Sequence, residues 1–224
     1  MTSPSGKRIG VSVLLSGTGR TLENLLEKAR TGELPIDIRL VISDRKDVKG
    51  LAIAEAAGLE TKTIRPVDYN HVQEEFSKAV TYELESHGTE LVVMAGFLSL
   101  YKIPPSLENR VMNIHPSLIP SFAGKGYFGD HVHRAALDRG VRITGCTVHF
   151  ANNEYDAGPI ILQKTVEVHD DDTPSTLAAR VFEQECEAYP EAIDLFARGR
   201  LRIEGTRVRV VDGTEAAHAD EVES

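Results

Sequence analysis

Cysteines are scarce in this chain, and long hydrophobic runs are missing. The 224 residues include two cysteines, Cys146 and Cys186, which lie far apart in sequence. The first ten residues, MTSPSGKRIG, lack the apolar core of a secretory signal. Both features predict a reducing, cytoplasmic setting. No apolar run reaches the roughly 20 residues that cross a bilayer, so we expect a soluble protein with no membrane partner.

Positive charge is also limited. The formal net charge is -9 at pH 7, with 25 Lys and Arg against 34 Asp and Glu, and the chain has no long basic run. The phosphate backbone of a nucleic acid or an anionic membrane surface would require concentrated positive charge. We therefore exclude both as the main partner. Any anionic ligand must be bound by a local pocket.

The first half of the sequence alternates apolar strands with amphipathic helices. The apolar run RIGVSVLLS ends in GTG, and TLENLLEKAR then places its leucines on one helical face. IDIRLVISD, GLAIAEAAG and TKTIRP continue this as a βαβαβ pattern. A helix is expected from about Val72 to His87, with Asn70 and Gln73 at the spacing of an N-cap and its N3 partner. The following strand, LVVMAGF, is apolar on both faces, as in a covered parallel sheet.

The second half departs from this alternation. RVMNIH is a fifth strand, and HVHRAALDRG is a helix after a loop rich in glycine and aromatics. ITGCTVHF and GPIILQKTVEV have no room for a crossover helix between them, so we expect an antiparallel pair. Thr173 and Pro174 begin a long helix to about Arg198, and RLRIE and RVRVV form a final pair.

Together these elements predict an α/β fold with a Rossmann-like open, mostly parallel sheet. Helices cover both faces, and the C-terminal part is antiparallel. The chain is long enough for one hydrophobic core, with 41% hydrophobic residues, and we expect a single domain over residues 1–211. Residues 212–224 form an acidic tail with one Val as its only large apolar residue, which predicts disorder.

A glycine turn follows the first strand. In SGTGRT, Gly17 and Gly19 stand just before a helix, where backbone N–H groups and the helix dipole favour an anion. Arg20 could add a charge-assisted contact to a phosphate. A dinucleotide site fits less well, since Leu22 stands where G-x-G-x-x-G needs its third glycine, although Asp44 could bind a ribose. A purely structural turn is the third alternative.

Asn113 and His115 lie at the end of the fifth strand. Ligands of an open parallel sheet bind beyond the carboxyl ends of the strands. Two residues apart on a strand, these side chains share a face and can converge on one atom. Asp156 lies in a polar loop between two later strands, and a carboxylate beside His115 would raise its pKa and keep it charged. Alternatively, Asn113 and His115 only form hydrogen bonds with nearby backbone groups, and Asp156 is only a turn residue.

Several stretches together resemble the folate-dependent phosphoribosylglycinamide formyltransferases. They are VLLSGTGRTLENLL, LVVMAGFLSLY, NIHPSLIPSF, TGCTVHF, YDAGPIILQ and RVFEQECEAYP. The resemblance covers roughly residues 9–204 and implies transfer of a formyl group from 10-formyltetrahydrofolate to the amine of 5-phosphoribosylglycinamide in purine biosynthesis. It also implies small-molecule substrates, a monomer or homodimer, and no metal.

The resemblance also implies roles for individual residues. It makes Asn113, His115 and Asp156 catalytic, and it assigns Asn113 and the backbone of the segment Leu98, Ser99, Leu100 and Tyr101 to folate binding. The glycine turn Gly17, Gly19, Arg20 and Thr21 would bind the ribose phosphate, and Glu185 would contact the glycinamide. Four positions depart from the pattern that the resemblance implies: Arg20 and Thr21 stand for Ser and Asn, Gln73 for an arginine, and Phe182 for a glutamine.

The implied chemistry is direct attack of the amine on the formyl carbon. Asn113 and protonated His115 would stabilise the negative oxygen, and Asp156 would keep His115 charged and relay a proton through water.

Four alternatives compete with this interpretation. A zinc site could use His131, His133 and His149 with His115, but no cysteine pair supports it.

Formyltetrahydrofolate deformylase shares the three catalytic residues, although it carries an N-terminal regulatory domain for which the start of strand one leaves no room. The methionyl-tRNA formyltransferases add a basic C-terminal domain that this acidic chain lacks. A non-catalytic phosphate- or folate-binding module would be expected to have lost one of the three residues.

Overall fold

The computed structural model describes residues 8–212. Strands and helices alternate through the first part of the chain, as β1 (Ile9–Leu15), α1 (Arg20–Thr31), β2 (Ile36–Ser43), α2 (Lys49–Ala56), β3 (Glu60–Thr63), α3 (Gln73–Ser86), β4 (Leu91–Met94) and β5 (Val111–His115). The remainder comprises α4 (Asp130–Arg139), β6 (Ile143–Phe150), β7 (Ile160–Glu167), α5 (Pro174–Ala197), β8 (Leu201–Glu204) and β9 (Arg207–Val210). Short 3-10 helices cover Pro66–Tyr69 and Pro105–Leu107.

One sheet contains all these strands in the order β3-β2-β1-β4-β5-β6-β7-β9-β8. The pairs among β1 to β5 are parallel, whereas β5 with β6, β6 with β7 and β8 with β9 are antiparallel. The predicted Rossmann-like sheet with an antiparallel C-terminal part is confirmed. Strand order reverses between β1 and β4, which is where open α/β sheets bind ligands.

Both faces of the sheet are covered because the central strands are apolar on both sides. On β1, Val11, Val13 and Leu15 pack into the core formed with α1, α2, α4 and α5, while Leu14 packs into a second core with α3. At roughly 25 cal/mol per Å² of buried apolar surface, these two cores provide the main stabilisation of the sheet.

The ends of two helices test the sequence predictions. Thr173 caps α5 as predicted, since its side chain accepts from Thr176 N and Pro174 follows it. The prediction of Asn70 as the cap of α3 is wrong. Val72 holds that position without a side-chain cap, and Asn70 instead ends the 3-10 helix before it in a left-handed conformation. Because Asn70 ends the 3-10 helix Pro66–Tyr69, it is not available to cap α3.

Among the helices of residues 8–212, none combines the length and apolar character of a membrane span. The predicted tail at 212–224 lies outside the described residues apart from Asp212.

Candidate active site

A cavity of about 560 Å³ opens at the carboxyl ends of β1, β4 and β5. It brings together residues from the glycine turn, the segment after β4, the end of β5, the β6–β7 loop and α5. Every site residue predicted from the sequence lines it: Gly17, Gly19, Arg20, Thr21, Leu98, Ser99, Leu100, Tyr101, Asn113, His115, Asp156 and Glu185.

The glycine turn leads directly into α1. Gly19 is left-handed (φ 76°), and a Cβ there would lie 2.5 Å from the Cα of Gly50, so the turn requires glycine. No side chain caps α1, and the first intrahelical bond runs from Glu23 N to Gly19 O at 2.9 Å. The N–H groups of the first turn therefore remain available to an anion.

Pairing of β5 with β6 builds the polar end of the cavity. Asn113 lies opposite His149 in this antiparallel register, and its Nδ2 lies 3.2 Å from His149 Nε2. His149 Nδ1 donates to the Phe150 carbonyl at 3.0 Å, which leaves Nε2 to accept from Asn113. The amide of Asn113 is thereby oriented before any ligand binds.

His115 is held by both ring nitrogens. Nε2 donates to the Phe122 carbonyl at 2.8 Å, and Nδ1 lies 3.5 Å from Asp156 Oδ2. Burial lowers the pKa of this imidazole below its ordinary value, and the opposing charge of Asp156 does not restore it. The charge of Asp156 raises the pKa as predicted, but the side chain is only 4% exposed and desolvation is the larger effect, so the expectation that Asp156 keeps His115 charged is wrong.

Asp156 connects all these groups. Its Oδ2 accepts from Gly124 N at 2.8 Å, and its Oδ1 lies 3.4 Å from Asn113 Nδ2 and 3.7 Å from His149 Nε2. Burial alone would raise the pKa of this carboxyl, but the contacts with His149, His115 and Gly124 together lower it. The residue has φ 52°, a left-handed conformation that is strained outside glycine and is maintained here by these contacts.

The segment Leu98 to Tyr101 is anchored at each residue. Leu98 N donates to Ser16 Oγ at 2.8 Å, and Ser99 Oγ donates to Asp44 Oδ2 at 2.6 Å. Gln73 Nε2 donates to the Leu100 carbonyl, and the Tyr101 hydroxyl pairs with Thr81 Oγ1 at 2.8 Å. Gln73 thus supports this segment.

Glu185 lines the cavity from α5. Burial raises the pKa of its carboxyl to about 7, and the charge of Arg20 opposes that shift. Arg20 also lies over the ring of Phe182, with its Cζ 3.6 Å from the ring centroid. Glu185 can therefore change its charge near neutral pH.

Three of the four histidines predicted as possible zinc ligands, His115, His133 and His149, line the cavity, whereas His131 lies outside its lining. His131 makes an edge-to-face contact with Phe128, with ring centroids 5.4 Å apart, while His133 is buried at the cavity wall and its Nδ1 has no partner. Within residues 8–212, no three His, Cys, Asp or Glu side chains form a group suited to a metal ion.

Sequence reasoning missed three groups at the site. His149 was considered only as a metal ligand, and the Phe122 carbonyl and Gly124 N–H were not considered. The alternation of β6 could have shown which face His149 occupies. Its position opposite Asn113 depends on register, which the 27 residues between β5 and β6 leave unspecified.

Residues 9–193 match the model of the Formyl transferase family. The chain belongs to the formyl transferase family. Among its relatives in that family, it is 34% identical to the phosphoribosylglycinamide formyltransferase of Escherichia coli K12, over 87% of this chain and 90% of that protein. It is 41% identical to the trifunctional purine biosynthetic protein adenosine-3 of Gallus gallus, over 88% of this chain. This formyl transferase chain matches only 19% of the length of that larger protein.

Solved structures of the formyl transferase family share the fold. The glycinamide ribonucleotide transformylase 1 of Symbiobacterium toebii has a TM-score of 0.85 and 43% identity, over 92% of this chain and 95% of that one. A formyltetrahydrofolate deformylase from Pseudomonas syringae has a TM-score of 0.80 and 25% identity, over 92% of this chain and 67% of that one.

Proposed function

We propose that this chain transfers the formyl group of 10-formyltetrahydrofolate to the amine of 5-phosphoribosylglycinamide, a step of purine biosynthesis. The observation that carries the proposal is the convergence of Asn113, His115 and Asp156 at one end of a cavity whose other walls include an uncapped helix N-terminus. The names of the relatives at 34% and 43% identity support the same reaction.

In this reaction the neutral amine of the acceptor attacks the formyl carbon. A new C–N bond forms, negative charge collects on the formyl oxygen, and the bond from the formyl carbon to the folate nitrogen then breaks. Asn113 Nδ2 and a protonated His115 Nδ1 are the donors for that oxygen. Because Nε2 is bound to the Phe122 carbonyl, the added proton resides on Nδ1, beside Asp156.

Charge and proton balance assign a role to Asp156. The attacking nitrogen loses one proton, and the leaving folate nitrogen gains one. Asp156 is ionised at neutral pH, because its pKa is lowered, and it is 11% exposed, so a water molecule can reach it. It stabilises the charged His115 and relays the proton through that water. Proximity of the two bound substrates supplies much of the remaining rate.

The two substrates use different walls of the cavity. The ribose phosphate binds at Gly17, Gly19, Arg20 and Thr21, where backbone N–H groups are free, and Glu185 contacts the glycinamide. The folate ring binds along Leu98 to Tyr101, whose backbone is held by Ser16 and Gln73. A single domain over residues 1–211 would contain both subsites.

The decisive experiment follows formyl loss from the folate in the presence and absence of the ribonucleotide. Transfer predicts formylated ribonucleotide and tetrahydrofolate in equal amounts, with negligible formate release when the ribonucleotide is omitted. No formylated product under any condition would refute the proposal.

Deformylation is the second candidate, because a deformylase shares this fold at 25% identity. A deformylase needs only water as the acceptor, whereas a transferase needs groups that bind an amine beside the formyl carbon. The partly buried Glu185 and the uncapped N-terminus of α1 favour the transferase. Rapid formate release that the ribonucleotide does not change would instead establish the deformylase.

A further inference from the structure

Arg20 and Phe182 contact each other across the cavity. Arg20 is the first residue of α1, and Phe182 lies midway along α5. The Arg20 Cζ lies 3.6 Å from the centroid of the Phe182 ring, the geometry of a cation–π contact. Both residues line the cavity.

Arg20 is exposed to solvent, and its guanidinium makes no hydrogen bond or ion pair within residues 8–212. Its five N–H donors are therefore available to a ligand. The ring orients the guanidinium without using any of those donors. An arginine without such a support would lose more side-chain entropy when it bound a phosphate.

The contact with Phe182 places the Arg20 guanidinium between the proposed phosphate subsite and the proposed glycinamide subsite. Phe182 and Glu185 are three residues apart and share a face of α5. Arg20 acts on Glu185 through its charge, since it opposes the rise in the pKa of that carboxyl. The guanidinium thus lies beside both the uncapped turn of α1 and the acidic residue of α5.

We propose that Phe182 is a positioning residue that holds the Arg20 guanidinium ready for a phosphomonoester, so that the pair favours a phosphorylated acceptor. This inference rests on the proposed function and adds a determinant of acceptor specificity to it. Packing between α1 and α5 does not depend on the ring alone, because Asn24 Nδ2 also donates to the Cys186 carbonyl at 2.8 Å.

Two replacements of Phe182 distinguish the effect of its aromatic face on Arg20 from the effect of its size. Phe182→Leu keeps an apolar side chain without the aromatic face and is expected to raise the KM for the ribonucleotide about two- to fivefold, with a smaller change in kcat and in the folate KM. Phe182→Tyr keeps the face and should restore the KM. Tyr82→Leu is the matched control, since Tyr82 is 70% exposed on α3 and lies outside the cavity lining.

A double-mutant cycle tests whether Phe182 acts through Arg20. In an Arg20→Ala background, Phe182→Leu should have no further effect on the KM for the ribonucleotide. With an acceptor that lacks the phosphate, Phe182→Leu should have no effect even when Arg20 is present. An equal effect of Phe182→Leu with and without Arg20, or with and without the phosphate, would overturn the positioning role.

Binding of ribose 5-phosphate by calorimetry gives a readout that does not need turnover. The inference predicts weaker binding to Phe182→Leu by the same factor and normal binding to Phe182→Tyr. Failure of the proposed reaction would appear as absent transfer in the wild-type protein. Failure of the inference alone would appear as normal transfer and unchanged ribose 5-phosphate affinity in Phe182→Leu.

Discussion

Nδ1 of His115 lies 3.5 Å from Oδ2 of Asp156, while the opposite ring nitrogen is bound to a backbone carbonyl. This relationship determines which nitrogen of His115 takes up a second proton. In the neutral ring, Nε2 keeps its proton for the Phe122 carbonyl, so protonation occurs at Nδ1 beside the carboxylate. Charge that develops on a formyl oxygen would favour that protonation.

Replacing His115 with Ala should lower kcat by roughly two to four orders of magnitude, because a donor to the developing oxyanion is lost. The affinity for each substrate should change little. Turnover and equilibrium binding measured on the same preparation would show this. His131→Ala is a suitable control, since His131 is exposed and lies outside the cavity lining. Wild-type turnover in His115→Ala would remove His115 from the mechanism.

Asp156→Asn should lower the pKa of His115 further. Burial already lowers it, and the charge of Asp156 is the main opposing influence. The charged imidazole would then be less populated at neutral pH, and kcat should fall steeply. NMR titration of the ring measures the shift directly. An unchanged His115 pKa would leave Asp156 as a turn residue.

His149→Ala should raise the pKa of Asp156 and move the acidic limb of the kcat profile to higher pH. The contact with His149 helps to lower that pKa, and Asn113 also loses its acceptor. Loss of the His149 contacts with Asn113 and Asp156 should decrease kcat roughly ten- to hundredfold. The pH dependence of kcat over the acidic range is the measurement. A profile identical to that of the wild type would exclude His149 from the site.

Arg20→Glu should raise the KM for the ribonucleotide roughly ten- to hundredfold, since it replaces a cation at the proposed phosphate site with an anion. The folate KM should stay nearly constant. Arg134→Glu makes the same charge change at an exposed position of α4 outside the cavity lining. Equal losses for both substrates in Arg20→Glu would indicate misfolding instead of a lost phosphate contact.

Glu185 should make the ligand-free protein less stable as the pH rises from about 4.5 to about 7, the span between its ordinary pKa and its value in the fold. The folded state binds this proton more tightly than the unfolded state, so the contribution is complete below the ordinary pKa and is lost above it. The loss should be roughly 1 to 3 kcal/mol, since the side chain is partly exposed. Denaturant unfolding of the wild type and Glu185→Gln at several pH values would measure it. Parallel pH dependences in the two proteins would contradict the assigned burial.

Much of the fold could be predicted from local pattern. The strands of the first half have apolar residues on both faces, and the helices between them have one apolar face, so a covered parallel sheet follows. The short connection between β6 and β7 allowed only an antiparallel pair. Thr173 and Pro174 identified the start of α5 because a cap acts on its own helix turn. The prediction of Asn70 as the cap of α3 was wrong because the same residue can also end a short 3-10 helix, and it does so in the structure.

Some features of the candidate site could likewise be predicted from local sequence, and others could not. The shared face of Asn113 and His115 at a strand end could be read from local sequence, since side chains two residues apart on a strand point the same way. The hydrogen-bond partners of these side chains depend on how distant parts of the chain pack together. His149 meets Asn113 through a register between distant strands, and Arg20 meets Phe182 across 162 positions of chain. The direction of the His115 pKa was likewise a tertiary property, because it depends on whether burial or the charge of Asp156 is the larger effect at that place in the fold.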